Sequence, residues 1–378
     1  MLTVAACPGG VAPHIPPQLL MAGSSVPDRL RPPLQHPARA LADHLRDHAP
    51  DLVWRALHPT RREPFRSEAP VPVERLRWTT ADGWTGSIRY VPPRPGGAGE
   101  PVVLLHTLGL GPDCFRIGGP RSFVGQLTAA GLGCYLPSLR GDREAEGPGA
   151  VDLDGVAEHD LPSILDAVAE HAGCRRVLVI GHGMGGLALV ASVARRGDDR
   201  LAAAVALSVP VRFVALERAV RFGLAMATSV GVDVPMRAVA RVAAVLGDPD
   251  VAVRGAGLRT ALLDATEDIP VGLLSTLERW CAAGALVDGS GTREYAAALR
   301  QARAPLLVAT AAGDTWAPPE RAQPLAALWG GPADLLELPA DLGHLDLLLH
   351  PEAAEQVASP VTAWVARHRA SAWSSVRA

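Results

Sequence analysis

The sequence predicts an α/β fold: a mostly parallel central sheet with helices on both faces, carrying a helical cap insertion. Three observations point to it. From Val102 onward, short apolar runs alternate with stretches of helical periodicity. Alternating units of this kind form parallel sheets because each crossover helix covers a sheet face. Second, the apolar run Val177–Ile180 passes through Gly181-His182-Gly183-Met184-Gly185-Gly186 straight into an Ala-rich stretch. Third, roughly 90 residues separate Val211 from Pro305, where connections are normally short.

Residues 1–70 hold 12 of the 34 prolines, which cannot continue a helix or a central strand. They are expected to form a Pro-rich N-terminal arm, with one amphipathic helix marked by Leu41, Leu45, Leu52 and Trp54 and broken near Pro50. His44 and His48 stand four apart beside Asp43 and Asp47, a spacing that can bind metal on a helix. A solvated polar face accounts for them better. Next, 73–78 alternates, 81–83 turns and 87–91 runs out into prolines, the signature of a hairpin.

Strands are then expected at 102–106, from 134, and at 176–182, 201–211, 305–310 and 333–338. Short apolar runs suit strands buried on both faces. Helices are expected at 154–172, 184–196 and 318–328. Val357, Val361, Trp364 and Val365 place a last one near the C-terminus. The core is thus 71–211 and 301–378. The insert, 212–300, reads as helices at 216–230, 236–246, 258–263, 271–282 and 295–302. Helices inserted there cap the C-terminal edge of the strands, where ligands bind in open α/β sheets. The insert is rich in Ala, Val and Leu, so an apolar pocket wall and a small apolar ligand under the cap are expected.

Composition narrows the function. The formal net charge of −3 over 378 residues gives no basic face for nucleic acid. All basic side chains besides histidine are arginine, a bias that genome composition explains. No run of 18 apolar residues occurs, so no membrane span is expected. Cys7, Cys114, Cys134, Cys174 and Cys281 are scattered and form no CxxC pair. That speaks against a disulfide framework or a zinc site, and no cofactor or metal is implied. The opening MLTVAAC lacks a charged region and an apolar stretch of signal-peptide length, so a cytoplasmic protein is expected.

The strand–turn–helix at 177–196 has the context of a nucleophile elbow, G-x-S-x-G, with glycine at the central position, Gly183. Around it, Val102-Val103-Leu104-Leu105-His106 resembles the strand before the oxyanion loop of the α/β-hydrolase superfamily. Leu139-Arg140-Gly141-Asp142 resembles the segment after its next strand. Ala312-Gly313-Asp314 resembles the position of its catalytic acid, and Leu342-Gly343-His344-Leu345-Asp346 its histidine loop. The order elbow, acid, histidine is that of the fold, and the cap lies in the usual place. The resemblance spans about residues 72–370 and is nearest to lid-bearing bacterial hydrolases related to polyhydroxyalkanoate synthases.

The resemblance implies an α/β-hydrolase fold with His344 as general base and Asp314 orienting it, Asp346 being a less suitable orienter. The backbone N–H of Met184 and one from the Thr107–Leu108 stretch would line the oxyanion hole. Two departures stand out. Gly183 offers no hydroxyl for an acyl-enzyme, so His344 should face it across an empty or water-filled gap. Thr107 stands where the family often has glycine. Ser208 and Cys114 are the candidates for a relocated nucleophile. The expectation is therefore either a hydrolase-type site of non-standard mechanism acting on an apolar ester or acyl compound, or a non-catalytic protein that binds a ligand or partner under its cap.

Overall fold

The computed structural model describes residues 73–213, 233–236, 264–291, 294–349 and 351–373. The arm with His44 and His48, and the insert helices expected at 216–230, 236–246 and 258–263, lie outside these residues, Met236 excepted.

Glu74–Thr79 (β1) and Thr85–Val91 (β2) form the expected antiparallel hairpin. β2 also pairs antiparallel with Leu132–Pro137 (β4) and with the short Ala145–Glu146 (β5), a strand the sequence pattern did not reveal. Among the described residues the other strand-to-strand pairings are parallel. Glu100–Leu105 (β3) lies between β4 and Val177–His182 (β6), followed by Leu201–Leu207 (β7), Leu306–Ala311 (β8) and Ala333–Leu338 (β9). The order β1-β2-β4-β3-β6-β7-β8-β9 reverses direction at β3. Chain leaving β3 goes to one side and chain entering β6 arrives on the other, so a crevice opens at their C-terminal ends.

Successive strand residues point to opposite faces, and the core divides accordingly. Val103, Leu105, Val177 and Val179 pack with Ile164, Leu165 and Val168 of α2 (Leu161–Ala172) and Leu187 and Val190 of α3 (Met184–Arg196). Val102, Leu104, Leu178 and Ile180 pack instead with Phe123 and Leu127 of α1 (Phe123–Ala129) and with Val357, Val361 and Trp364 of the C-terminal helix Pro351–Trp373. Two helical layers thus enclose one sheet, which is why the inner strands β3, β4, β6, β7 and β8 are buried on both faces.

Several boundaries differ from the sequence expectation. The strand expected to reach Val211 ends at Leu207, because Ser208 takes φ +52°, a left-handed conformation that breaks a strand. The helix expected at 318–328 is two turns, Pro319–Ala322 and Pro324–Leu328. Pro324 lacks the N–H that would continue the first. The stretch 154–172 is helical but opens into a π-type turn at Val156–Asp160. Of the insert, Val271–Ala283 (α4) is helical as expected, whereas 295–302 shrinks to Ala296–Leu299. The chain leading into α4 crosses the loop after β3: Leu110 bridges Thr266, Gly111 N donates to Ala265 O and Glu267 N to Gly109 O.

Candidate active site

The apolar run of β6 ends at His182 and α3 begins at Met184, so the whole reversal rests on Gly183, at φ +52° and ψ −116°. A non-glycine residue holds such torsions at a cost of about 1–3 kcal/mol, which glycine avoids. Strand and helix come together closely here. A Cβ on Gly181 would lie 2.5 Å from Gly186 Cα, so the two glycines are the contact between the elements. Met184 is the first residue of α3, and its N–H has no acceptor within the helix.

Asp314 follows β8 and is fully buried. Its Oδ1 accepts from the N–H groups of Trp316 and Ala317, while Oδ2 accepts from His344 Nδ1 at 2.8 Å. Burial alone would raise this carboxyl. The hydrogen bond and charge of His344, the Ala317 N–H and the nearby Ser208 hydroxyl outweigh it, bringing the pKa from its ordinary 3.8 to about 2. A depressed carboxylate pKa stabilises the fold above the unfolded value, and that stability drains away as the folded value is approached from above. Unfolding free energy is therefore expected to fall between about pH 3.8 and 2, and Asp314→Asn to flatten that slope in urea titrations run at a series of pH values. An unchanged slope would count against the pairing.

With Nδ1–H committed to Asp314, His344 Nε2 carries the lone pair, and among the described residues it makes no hydrogen bond. It points at the turn: a Cβ on Gly183 would lie 2.8 Å from it. His182, stacked on the His344 ring at 4.5 Å, donates Nε2–H to the His344 carbonyl at 3.0 Å. Burial, then the neighbouring His344, push the His182 pKa well below its usual value, and its Nδ1 has no partner among the described residues. His182 is therefore a neutral strut under the histidine loop. It lies within the strand–turn–helix motif, where residue type alone does not mark it as a strut.

The expected gap between His344 and Gly183 is not empty. The side chain of Thr107 occupies it, with Oγ1 2.3 Å from where a Gly183 Cβ would be. Thr107 is pinned from behind. Its carbonyl faces His106 Nδ1 at 3.2 Å and accepts from Leu110 N, while His106 Nε2 meets Asp142 Oδ2 at 2.8 Å. Burial would depress His106, but Asp142 and the Thr107 carbonyl raise it. Both ring nitrogens face acceptors, the arrangement of an imidazolium.

The other candidates lie apart from the pair's free end. Ser208 stands beside the Asp314 carboxylate, without hydrogen-bonding geometry. Cys114 is buried beside Phe115 and Phe123, where burial pushes its thiol far up, so it is a poor nucleophile. Asp346 accepts from Gly343 N at 2.9 Å and closes its own turn rather than holding His344. Among the described residues no His, Cys, Asp and Glu cluster could hold a metal ion, and no helix is long and apolar enough to cross a membrane.

A small cavity of about 30 Å³ adjoins the turn, with Thr107, Leu108, Leu110, Leu139, Met184 and Leu273 among its walls. It is mostly apolar, with Asp142 and Glu267 on one side. Arg140, also on its wall, is held by a fully buried Asp160 through Nη2–Oδ1 at 2.6 Å. This pair was not foreseen. Its only local signal, the π-type turn ending at Asp160, cannot be read from residue types.

A strand-order reversal, a tight glycine turn at its crevice, and an acid–histidine pair on the loops after the last two parallel strands together define a class. A profile of the alpha/beta hydrolase family matches residues 102–359, and the chain belongs to that family. No curated protein sequence matches it. Among solved structures, it is similar to a thermophilic esterase from Thermogutta terrifontis (20% identity, TM-score 0.53, covering 78% of this chain and 99% of that one). It is also similar to a hydrolase from Pseudomonas aeruginosa (21%, 0.54, 78% and 99%). A monoacylglycerol lipase from Paleococcus ferrophilus is a third (18%, 0.51, 79% and 99%). At these identities the likeness is one of fold.

Proposed function

We propose that this chain hydrolyses small apolar esters or related acyl compounds by a non-standard version of its family's chemistry, with no side chain at the nucleophile position, Gly183. The observation that carries this is the Asp314–His344 pair: Asp314 is buried, it holds Nδ1 at 2.8 Å, and the free Nε2 is aimed at the turn. A carboxylate in that place fixes the imidazole tautomer and stabilises the imidazolium that forms when Nε2 takes a proton. A binding protein has little use for such a pair. Met184 N–H and one from the Thr107–Leu108 stretch serve as oxyanion donors. The apolar cavity walls, Leu273 of the insert among them, favour an apolar acyl group.

At the least, His344 acts as general base on water, a contribution typically of about 10²–10⁴-fold. Assayed on p-nitrophenyl acetate and butyrate, the protein is expected to turn over slowly. His344→Ala and Asp314→Asn should lower kcat by about 10²-fold or more. Equal rates in wild type and His344→Ala would sink the reading.

One observation favours a second reading, a non-catalytic binding protein: about 30 Å³ is room for only a water or two, and Thr107 plugs the turn. Under that reading a ligand would bind with the same affinity to His344→Ala.

A further inference from the structure

The two departures from the family pattern meet at one point. Where the turn has lost a side chain, at Gly183, the loop after β3 has gained one, at Thr107. The threonine hydroxyl lies 2.3 Å from the place of the missing Cβ and His344 Nε2 lies 2.8 Å from it, so hydroxyl and base flank the same spot. We propose that Thr107 is the catalytic nucleophile: its Oγ1 takes the place and the role of a hydroxyl carried by the turn. This rests on the hydrolytic reading above and names the group that attacks.

Three further features support the assignment. Among the described residues no hydrogen bond engages Thr107 Oγ1, which leaves its proton and lone pairs available there. Thr107 is also a wall of the cavity, along with Met184, whereas His344 is not. A substrate approaching the turn from that side meets the threonine first, and the imidazole stands behind it. Finally, the Thr107 backbone is fixed by His106, itself held by Asp142. A nucleophile needs such fixing, because misplacement by an ångström costs about 10²-fold in rate. In the resting state hydroxyl and base need not be at ideal hydrogen-bonding distance, since such contacts tighten when substrate binds.

The step balances without any outside reagent but water. Oγ1 bonds to the acyl carbon as its proton passes to His344 Nε2. The tetrahedral centre, its oxyanion facing Met184 N–H, expels the alcohol oxygen, which leaves with that proton. Water then adds to the acyl-threonine and gives a proton to His344. The carbon–Oγ1 bond breaks, and the proton returns to Thr107.

The test uses the full chain with a fluorophosphonate and with p-nitrophenyl butyrate, in wild type, Thr107→Ser, Thr107→Val and His344→Ala. Wild type and Thr107→Ser are expected to gain one phosphonate, mapped by peptide mass spectrometry to residue 107. Thr107→Val, equal in shape but lacking the hydroxyl, should not label at that residue and should lose about 10²-fold or more in kcat. Thermal melts of all four identify any variant that fails to fold, and Thr107→Ser then carries the test through its label. If Thr107→Val keeps the wild-type rate while His344→Ala loses it, water is the nucleophile: this inference falls and the hydrolytic reading stands. A label mapping to Ser208 also overturns it. A wild type that neither labels nor turns over ester, or whose rate ignores His344, removes both.

Discussion

Gly183→Ser, which gives the turn a hydroxyl, is expected to destabilise the protein without creating a working site. A side chain at φ +52° costs about 1–3 kcal/mol in backbone strain. Its Cβ would also sit 2.3 Å from Thr107 Oγ1, far inside contact distance, and overpacking a filled site costs about 1–3 kcal/mol more. Thr107→Gly removes the threonine's share of the second cost, but neither the approach of the Cβ to His344 Nε2 at 2.8 Å nor the backbone strain. The double variant Gly183→Ser/Thr107→Gly should therefore be more stable than the two single changes sum to, with a coupling of about 1–3 kcal/mol, within the range found for residues in contact. Phosphonate labelling at position 183 should appear in the double variant alone. Urea denaturation of the four proteins measures the coupling. Additivity within about 0.5 kcal/mol would mean that the two side chains do not compete for the same space.

Asp160→Ala is expected to have the largest effect on stability of any single change considered, about 3–5 kcal/mol, the usual cost of stranding one partner of a buried ion pair. Asp160 is fully buried and Arg140 is 4% exposed. The carboxylate accepts from Arg140 Nε at 3.0 Å, Nη2 at 2.6 Å and the Arg140 backbone N–H at 3.1 Å. What would remain for the guanidinium is Asp82 at 3.1 Å, partly exposed, and the face of Trp84 at 5.1 Å. Against a total stability of about 5–15 kcal/mol for an ordinary domain, that loss is a large fraction. Arg140→Met in the same background should recover much of it, because a buried pair replaced by apolar groups of similar size is often neutral. A loss below about 1 kcal/mol would show that water reaches the pair.

What could be read in advance was what is encoded locally. The β6–turn–α3 unit is contiguous: an apolar run, glycines at close spacing, then helix formers. Asp314 and His344 each lie on a short loop just after a strand, so their motifs could be recognised one at a time. Strand ends were less legible, since Ser208 ends β7 by a backbone torsion that serine seldom adopts. Pro324 interrupts a run whose periodicity is otherwise helical, and it divides the expected helix in two. The pairs His106–Asp142 and Arg140–Asp160 join different elements across the sheet edge, and residue type does not announce such partners. The filling of the turn by Thr107 was hidden for the same reason. The sequence displays a missing side chain at one place and an unexpected one at another, and only the topology, with β3 beside β6, brings the two together.

The steric exclusion between positions 107 and 183 has an evolutionary reading. It makes them a covarying pair: relatives with a bulky residue at 107 are expected to carry glycine at 183, and relatives with a side chain at 183 to carry glycine at 107. It also orders the history of the exchange. A lineage passing from one state to the other by single substitutions meets the clash if threonine comes first, and avoids it only through an ancestor with glycine at both positions. That ancestor would have had the fold and the acid–histidine pair, but no hydroxyl at either position.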